Sequence, residues 1–230
     1  MLSSIILYFS RTMLVTFALV GFSMFGYAKI TKNTMKIIGV MIILFGLFFA
    51  YLHTMKIDRN SPGLEGFLYK IKISPEEIFK TKINRDDHKD LWDHWRGYEA
   101  KRALALLNEK PVSYLTGTGF GSMVNLKFKA PLGENGMKYI SRLHNGYVFT
   151  FYKTGFFGLL LLLIFLVNLY IKVYVSNFQA PKIVFTKKFI SSIGLFYIFS
   201  TLIITGIFIP ADAIIFILGG FLFFNENKIT

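Results

Sequence analysis

Long apolar runs, almost free of charge, constrain this chain more than any other feature of it. The longest reads from Tyr147 to Val175, and Lys153 is its one charged residue before Lys172. That exceeds the roughly 20 apolar residues a helix needs to cross a bilayer. Similar runs cover Met13 to Ala28, Ile37 to Leu52 and Phe189 to Ile209, and a shorter one ends near Phe224. With 53% hydrophobic residues, 26 of them Phe, the composition exceeds what a soluble domain of 230 residues needs for its core. The expected fold is an α-helical integral membrane protein with about five transmembrane helices, residues 1–230 forming one membrane domain.

The charge pattern orients these spans. The net charge of +13 would suggest nucleic acid in a soluble protein. In a membrane protein the Lys and Arg residues sit in loops and set topology, so no nucleic-acid partner is expected. Lys29 to Lys36 and Lys172 to Lys188 form two short basic loops, expected in the cytoplasm of a bacterial inner-membrane protein. The polar stretch between the second and third runs, residues 55–145, then forms a large extracytoplasmic loop. Arg11 and the Pro210-Ala211-Asp212 turn fall on that same side. Without cysteine there is no disulfide or thiolate chemistry. The N-terminus lacks the basic region and cleavage site of a signal peptide.

Within the long loop, Ser74-Pro75-Glu76-Glu77 has the order of a helix start. A second helix is expected from Asp86 to Asn108, where Leu91, Trp95 and Tyr98 recur at helical spacing. Trp92 and Trp95 are placed at the headgroup level. Leu115-Thr116-Gly117-Thr118-Gly119-Phe120-Gly121 reads as a flexible turn or as a nest of backbone N–H groups for phosphate. Pro131 and Gly133 mark a further turn.

Few residues in this arrangement can do chemistry. His144 stands at the mouth of the longest apolar run, where it is either a general base or an interfacial hydrogen-bonding group. Asn145 either orients that ring or caps the next helix. Arg96 offers a guanidinium fork that suits pyrophosphate, with Glu99 on the same helix face; the plainer reading is a surface pair. Arg11, between apolar stretches, either snorkels to headgroups or meets a phosphate in the same layer. His88, Asp90, Asp93 and His94 match no recognised zinc spacing, so neither a metal nor another cofactor is expected.

Three of these pieces, in order, resemble the O-antigen ligase and O-antigen polymerase family. They are Ser10-Arg11-Thr12 opening an apolar helix, Arg96-Gly97-Tyr98-Glu99 leading to the glycine-rich loop, and His144-Asn145 followed by Gly155 and Gly158. The wording Trp95-Arg96-Gly97-Tyr98-Glu99 and His144-Asn145-Gly146-Tyr147 leans towards capsular or O-antigen polysaccharide polymerases. The resemblance implies a metal-independent membrane glycosyltransferase acting on an undecaprenyl-diphosphate-linked glycan. Arg11 and Arg96 would hold the pyrophosphate, and His144 would assist the acceptor hydroxyl. Asn145, Glu99, Gly117 and Gly119 would contribute to substrate binding.

Family members have more spans, so the resemblance is to a C-terminal half. A missing N-terminal half or other polysaccharide-assembly proteins are therefore expected partners, besides membrane lipid. The alternative expectation is a non-catalytic fragment or subunit that binds a partner through its long loop.

Overall fold

The computed structural model describes residues 11–60, 62–176, 179–210 and 212–226. In chain order its helices are α1 (Arg11–Met24), α2 (Lys32–Thr54), α3 (Gly63–Phe79), α4 (His88–Asp93), α5 (Trp95–Asn108) and a single turn, α6 (Ser113–Thr116). Two antiparallel strands follow, β1 (Val124–Ala130) and β2 (Met137–Ile140), then α7 (Gly146–Ile171), α8 (Pro181–Ile203) and α9 (Ala213–Glu226). Short 3-10 turns follow α7 at Lys172–Tyr174 and α8 at Gly206–Phe208.

This is a helical membrane protein. Among the described residues, three helices are long and apolar enough to cross a bilayer: α2, α7 with its 3-10 turn, and α8. The other two expected spans, α1 and α9, have 14 residues each. Their described residues reach about 21 Å, and both helices meet residues outside the described ones, α1 at its start and α9 at its end. The fourth expected span was Phe189 to Ile209, yet α8 begins at Pro181, because proline suits the first turn of a helix. It stops at Ile203, where a 3-10 turn replaces the expected last turns.

The bundle is built on α8. Leu166 and Leu169 of α7 pack against Ile190, Ile193 and Tyr197 of α8, with Leu218 of α9 behind them. Ser191 donates to the Tyr170 carbonyl at 2.9 Å, and Ser23 of α1 donates to Ser191 at 3.3 Å. Side-chain hydroxyls thus link α1, α7 and α8 where few apolar contacts discriminate between helix and lipid. α2 is different. A Thr31–Thr34 capping box starts it, and Leu52 is its one fully buried residue, so its apolar surface faces outward nearly all round.

Both short basic connections meet at one end of the bundle. Lys29 Nζ donates to the Val175 carbonyl at 3.1 Å, and the Tyr170 hydroxyl donates to the Ala28 carbonyl at 2.7 Å. At the other end, the Thr205 hydroxyl donates to the Leu143 carbonyl at 3.3 Å, just before α7 begins. The Tyr197 hydroxyl donates to Asp212 there at 2.8 Å, and Asp212 accepts from the Ile214 N–H as α9 starts.

The long connection has its own core, in which α5 packs on β1 and on the first turns of α7. Its details differ from the sequence reading in four places. Ser74-Pro75 lies inside α3 rather than at a helix start; the helix begins at Gly63 and carries an apolar stripe of Leu64, Phe67 and Ile71 into the proline. The expected helix from Asp86 to Asn108 is broken at His94, whose backbone leaves the helical region between α4 and α5. Trp95 is buried against Tyr98 and Phe128 instead of lying among headgroups. The turn at Pro131 and Gly133 joins a hairpin that the sequence reading did not contain.

The acidic residues around α4 are spent on ion pairs. Arg59 bridges Asp87 at 3.1 Å and Asp93 at 2.8 Å, while Asp90 meets Lys80 and His94. The Asp90 N–H, with the Lys89 N–H and Arg59, holds the Asp87 carboxyl below its ordinary range. Burial works against ionisation of Asp90, but the Asn84 N–H, His94 and Lys80 outweigh it and hold that carboxyl low as well.

Candidate functional site

The site is assembled around α5, and its position depends on Gly97. A Cβ there would lie 2.2 Å from the Lys80 carbonyl oxygen, so only glycine lets α5 lie this close to the end of α3. The Tyr98 hydroxyl donates to the Leu126 carbonyl, and Arg102 Nε donates to the Asn125 carbonyl at 3.0 Å. These bonds tie α5 to β1 on one side. Arg96 and Glu99 project from the same helix, one turn apart.

Glu99 is completely buried. Its Oε1 accepts from the main-chain N–H of His144 and lies 3.0 Å from the ring Nδ1. When Glu99 is ionised it can only accept, and the contact then puts a ring proton on Nδ1. In the neutral ring Nε2 then keeps its lone pair. The His144 side chain is 49% exposed, so the ring is held at one edge and open at the other. A base oriented by a buried third group is the geometry of an activated proton acceptor.

Asn145 has a structural role in this arrangement. Its side-chain oxygen accepts from the Val148 N–H at 3.1 Å and caps α7. The cap fixes where the helix starts, and so where the preceding His144 stands.

Arg96 faces away from His144, towards α3. Its Nη1 donates to Glu77 Oε2 at 2.7 Å, and Glu77 is itself buried. This pair stands at the edge of a cavity of about 560 Å³ between α1, α2, α3 and α8. The rest of the lining is mostly apolar and aromatic, with Phe45, Phe49, Phe67, Ile71 and Phe199 prominent. Thr12 lines it too, so the start of α1 reaches the same space. Ser10 and the Arg11 side chain lie outside the described residues. His144 does not line this cavity; Glu99 connects it to Arg96 through α5.

The glycine-rich loop turns its N–H groups inward. The Gly117 N–H donates to the Ser113 carbonyl at 2.8 Å, and the Gly119 N–H donates to the Lys153 carbonyl at 2.9 Å. In this conformation neither is offered to a phosphate. Lys153, expected at the interface, is 2% exposed. Its ammonium donates to the carbonyls of Phe120, at 3.0 Å, and Ser122.

Glu77 and the orienting contact of Glu99 escaped the sequence reading. Glu99 could have been noticed as a carboxylate on the inner face of α5, since it follows Trp95 by four residues. Glu77 carried no such signal, because Ser74-Pro75 disguised a helix interior as a helix start. Among the described residues no group of three or more His, Cys, Asp or Glu side chains is placed to hold a metal ion.

A family model described as O-antigen ligase matches residues 1–163, which include α5, His144, Asn145 and Gly155. No curated protein and no solved structure matches the chain.

Proposed function

The chain belongs to the O-antigen ligase family, and from that premise we propose that it transfers a glycan from an undecaprenyl-diphosphate carrier to an acceptor sugar hydroxyl, by polymerisation or ligation. One observation carries this reading: a half-open histidine oriented by a buried glutamate, one helical turn from an arginine at the mouth of an apolar cavity. The donor is an amphiphile with a diphosphate head and a long isoprenoid tail. A guanidinium beside an apolar cavity suits that combination.

In the proposed reaction Nε2 of His144 takes the proton of the acceptor hydroxyl as its oxygen attacks the anomeric carbon. A carbon–oxygen bond forms there, and the bond to the diphosphate oxygen breaks on the opposite face, inverting the centre. The electron pair leaves with the lipid diphosphate, whose developing charge Arg96 stabilises once its fork swings from Glu77 towards the His144 side of α5, joined by Arg11 at the start of α1. The proton then passes from His144 to water. The donor is already activated, so the step needs no nucleotide sugar.

The reading is tested in cells lacking their own polymerase or ligase for a glycan that the wild-type chain restores. Arg96→Lys should lower transfer by up to about 10²-fold, below the roughly 10²–10³ for deleting a well-aimed donor, because a lysine keeps charge but not the fork. Lys101→Ala, on the exposed side of α5, should leave transfer unchanged. Undiminished transfer by Arg96→Lys and Arg96→Ala would remove the arginine from the site. A wild-type chain that restores no glycan with any carrier would favour a non-catalytic subunit.

The reading also places the loop end of the bundle outside the cytoplasm of a bacterial inner membrane, because the two short basic connections share the other end. In the cysteine-free chain, Glu134→Cys on the hairpin turn should react with an impermeant thiol reagent in intact spheroplasts. Lys182→Cys should react only after lysis. The reverse pattern would invert the orientation.

A further inference from the structure

Residues 111–123 behave less like an aqueous loop than their polarity suggests. They lie along α7 where Gly155 interrupts it. The interruption leaves the carbonyls of Tyr152 and Lys153 without their helical partners, and the Thr118 and Gly119 N–H groups take both, each at 2.9 Å. Returning carbonyls of the loop, those of Phe120 and Ser122, accept from the buried Lys153 ammonium. The Thr118 and Ser122 hydroxyls pair with each other at 2.6 Å. Most N–H groups of this segment are thus satisfied within the protein, as irregular backbone needs when it leaves water.

Its apolar side chains point the other way. Val112 is 72% exposed and Phe120 68%, with Leu115 and Met123 also more than half exposed. The backbone of Leu115 and Gly117 meets α7 at Gly155, and Phe156 and Phe157 stand exposed on α7 immediately beyond that point. Phe156 to Tyr174 spans roughly 30 Å as an α-helix closed by a 3-10 turn, the thickness of a hydrocarbon core. Gly155 therefore falls at the boundary between acyl chains and headgroups.

We infer that residues 111–123 form an interfacial wedge, whose exposed face is covered by lipid of the leaflet that α7 enters at Gly155. The occupant is lipid rather than a second copy or a partner protein because the patch continues the lipid-facing surface of a spanning helix at the same depth. The inference is independent of the proposed chemistry.

Nitroxide labels placed on the cysteine-free chain at Val112→Cys and Phe120→Cys test it, both side chains being exposed and their backbone bonds untouched. The protein is reconstituted in vesicles of phosphatidylethanolamine and phosphatidylglycerol, with Glu134→Cys as the aqueous reference. The expected result is a ratio of oxygen to nickel-chelate accessibility several-fold higher at 112 and 120 than at 134. Equal ratios at all three positions would return the segment to water. Exclusion of both probes at 112 and 120 would mean that protein, not lipid, covers the patch. Either outcome overturns the wedge.

Discussion

His144→Ala should reduce glycan transfer about 10²–10⁴-fold, the usual contribution of a positioned general base. Protein level and membrane insertion should stay unchanged. The ring is half exposed, and its removal leaves the main-chain bond from residue 144 to Glu99 in place. That bond makes His144, not Glu99, the decisive position. Truncating Glu99 would leave a gap in the interior, strip the His144 N–H of its acceptor, and lower stability as well as activity. The measurement is the accumulation of untransferred lipid-linked glycan against membrane protein level. Full transfer by His144→Ala would end the proposal that this histidine moves the proton.

Gly155→Val should be the most damaging substitution for stability. Gly155 sits at φ 68°, ψ −163°, a region only glycine occupies readily. A Cβ there would also lie 2.3 Å from the Leu115 carbonyl oxygen. The backbone alone costs about 1–3 kcal/mol in such a conformation, and the overlap adds to it. If the segment shifts to relieve the overlap, the bonds of Thr118 and Gly119 to α7 break. The thermal midpoint of the detergent-solubilised protein should fall by several degrees, and Gly155→Ala should fall less. Gly46→Ala on the outward-facing α2 meets no atom within 4 Å and should be neutral or slightly stabilising. A Gly155→Val protein as heat-resistant as wild type would show that the interruption is not held by this packing.

The two predictions separate two uses of one sequence signature. His144 and Asn145 differ in what they touch: the first ends in a buried carboxylate and open space, the second caps a helix. Gly155 touches no candidate substrate group. It ends the first turns of α7 so that a loop can dock, and this docking turns the Gly117 and Gly119 N–H groups inward. Residues that look like one motif along the chain therefore divide between chemistry and architecture.

Sequence alone was enough for the membrane class, the approximate positions of the apolar runs and the family. These depend on long-wavelength hydrophobicity and on residue order, which local composition records. The helix cap at Asn145 and the helical character of α5 were also legible, because capping and periodicity act within a few residues. The Glu99–His144 contact joins residues 45 positions apart, and Arg96–Glu77 joins residues 19 apart. No local rule encodes such pairings. They exist because glycine at 97 lets α5 approach α3, and because the cap fixes the start of α7. The burial of Lys153 was likewise decided in three dimensions. A lysine near the start of a span reads as interfacial until a loop supplies two carbonyls to hold its ammonium inside, and only the packed chain brings that loop there.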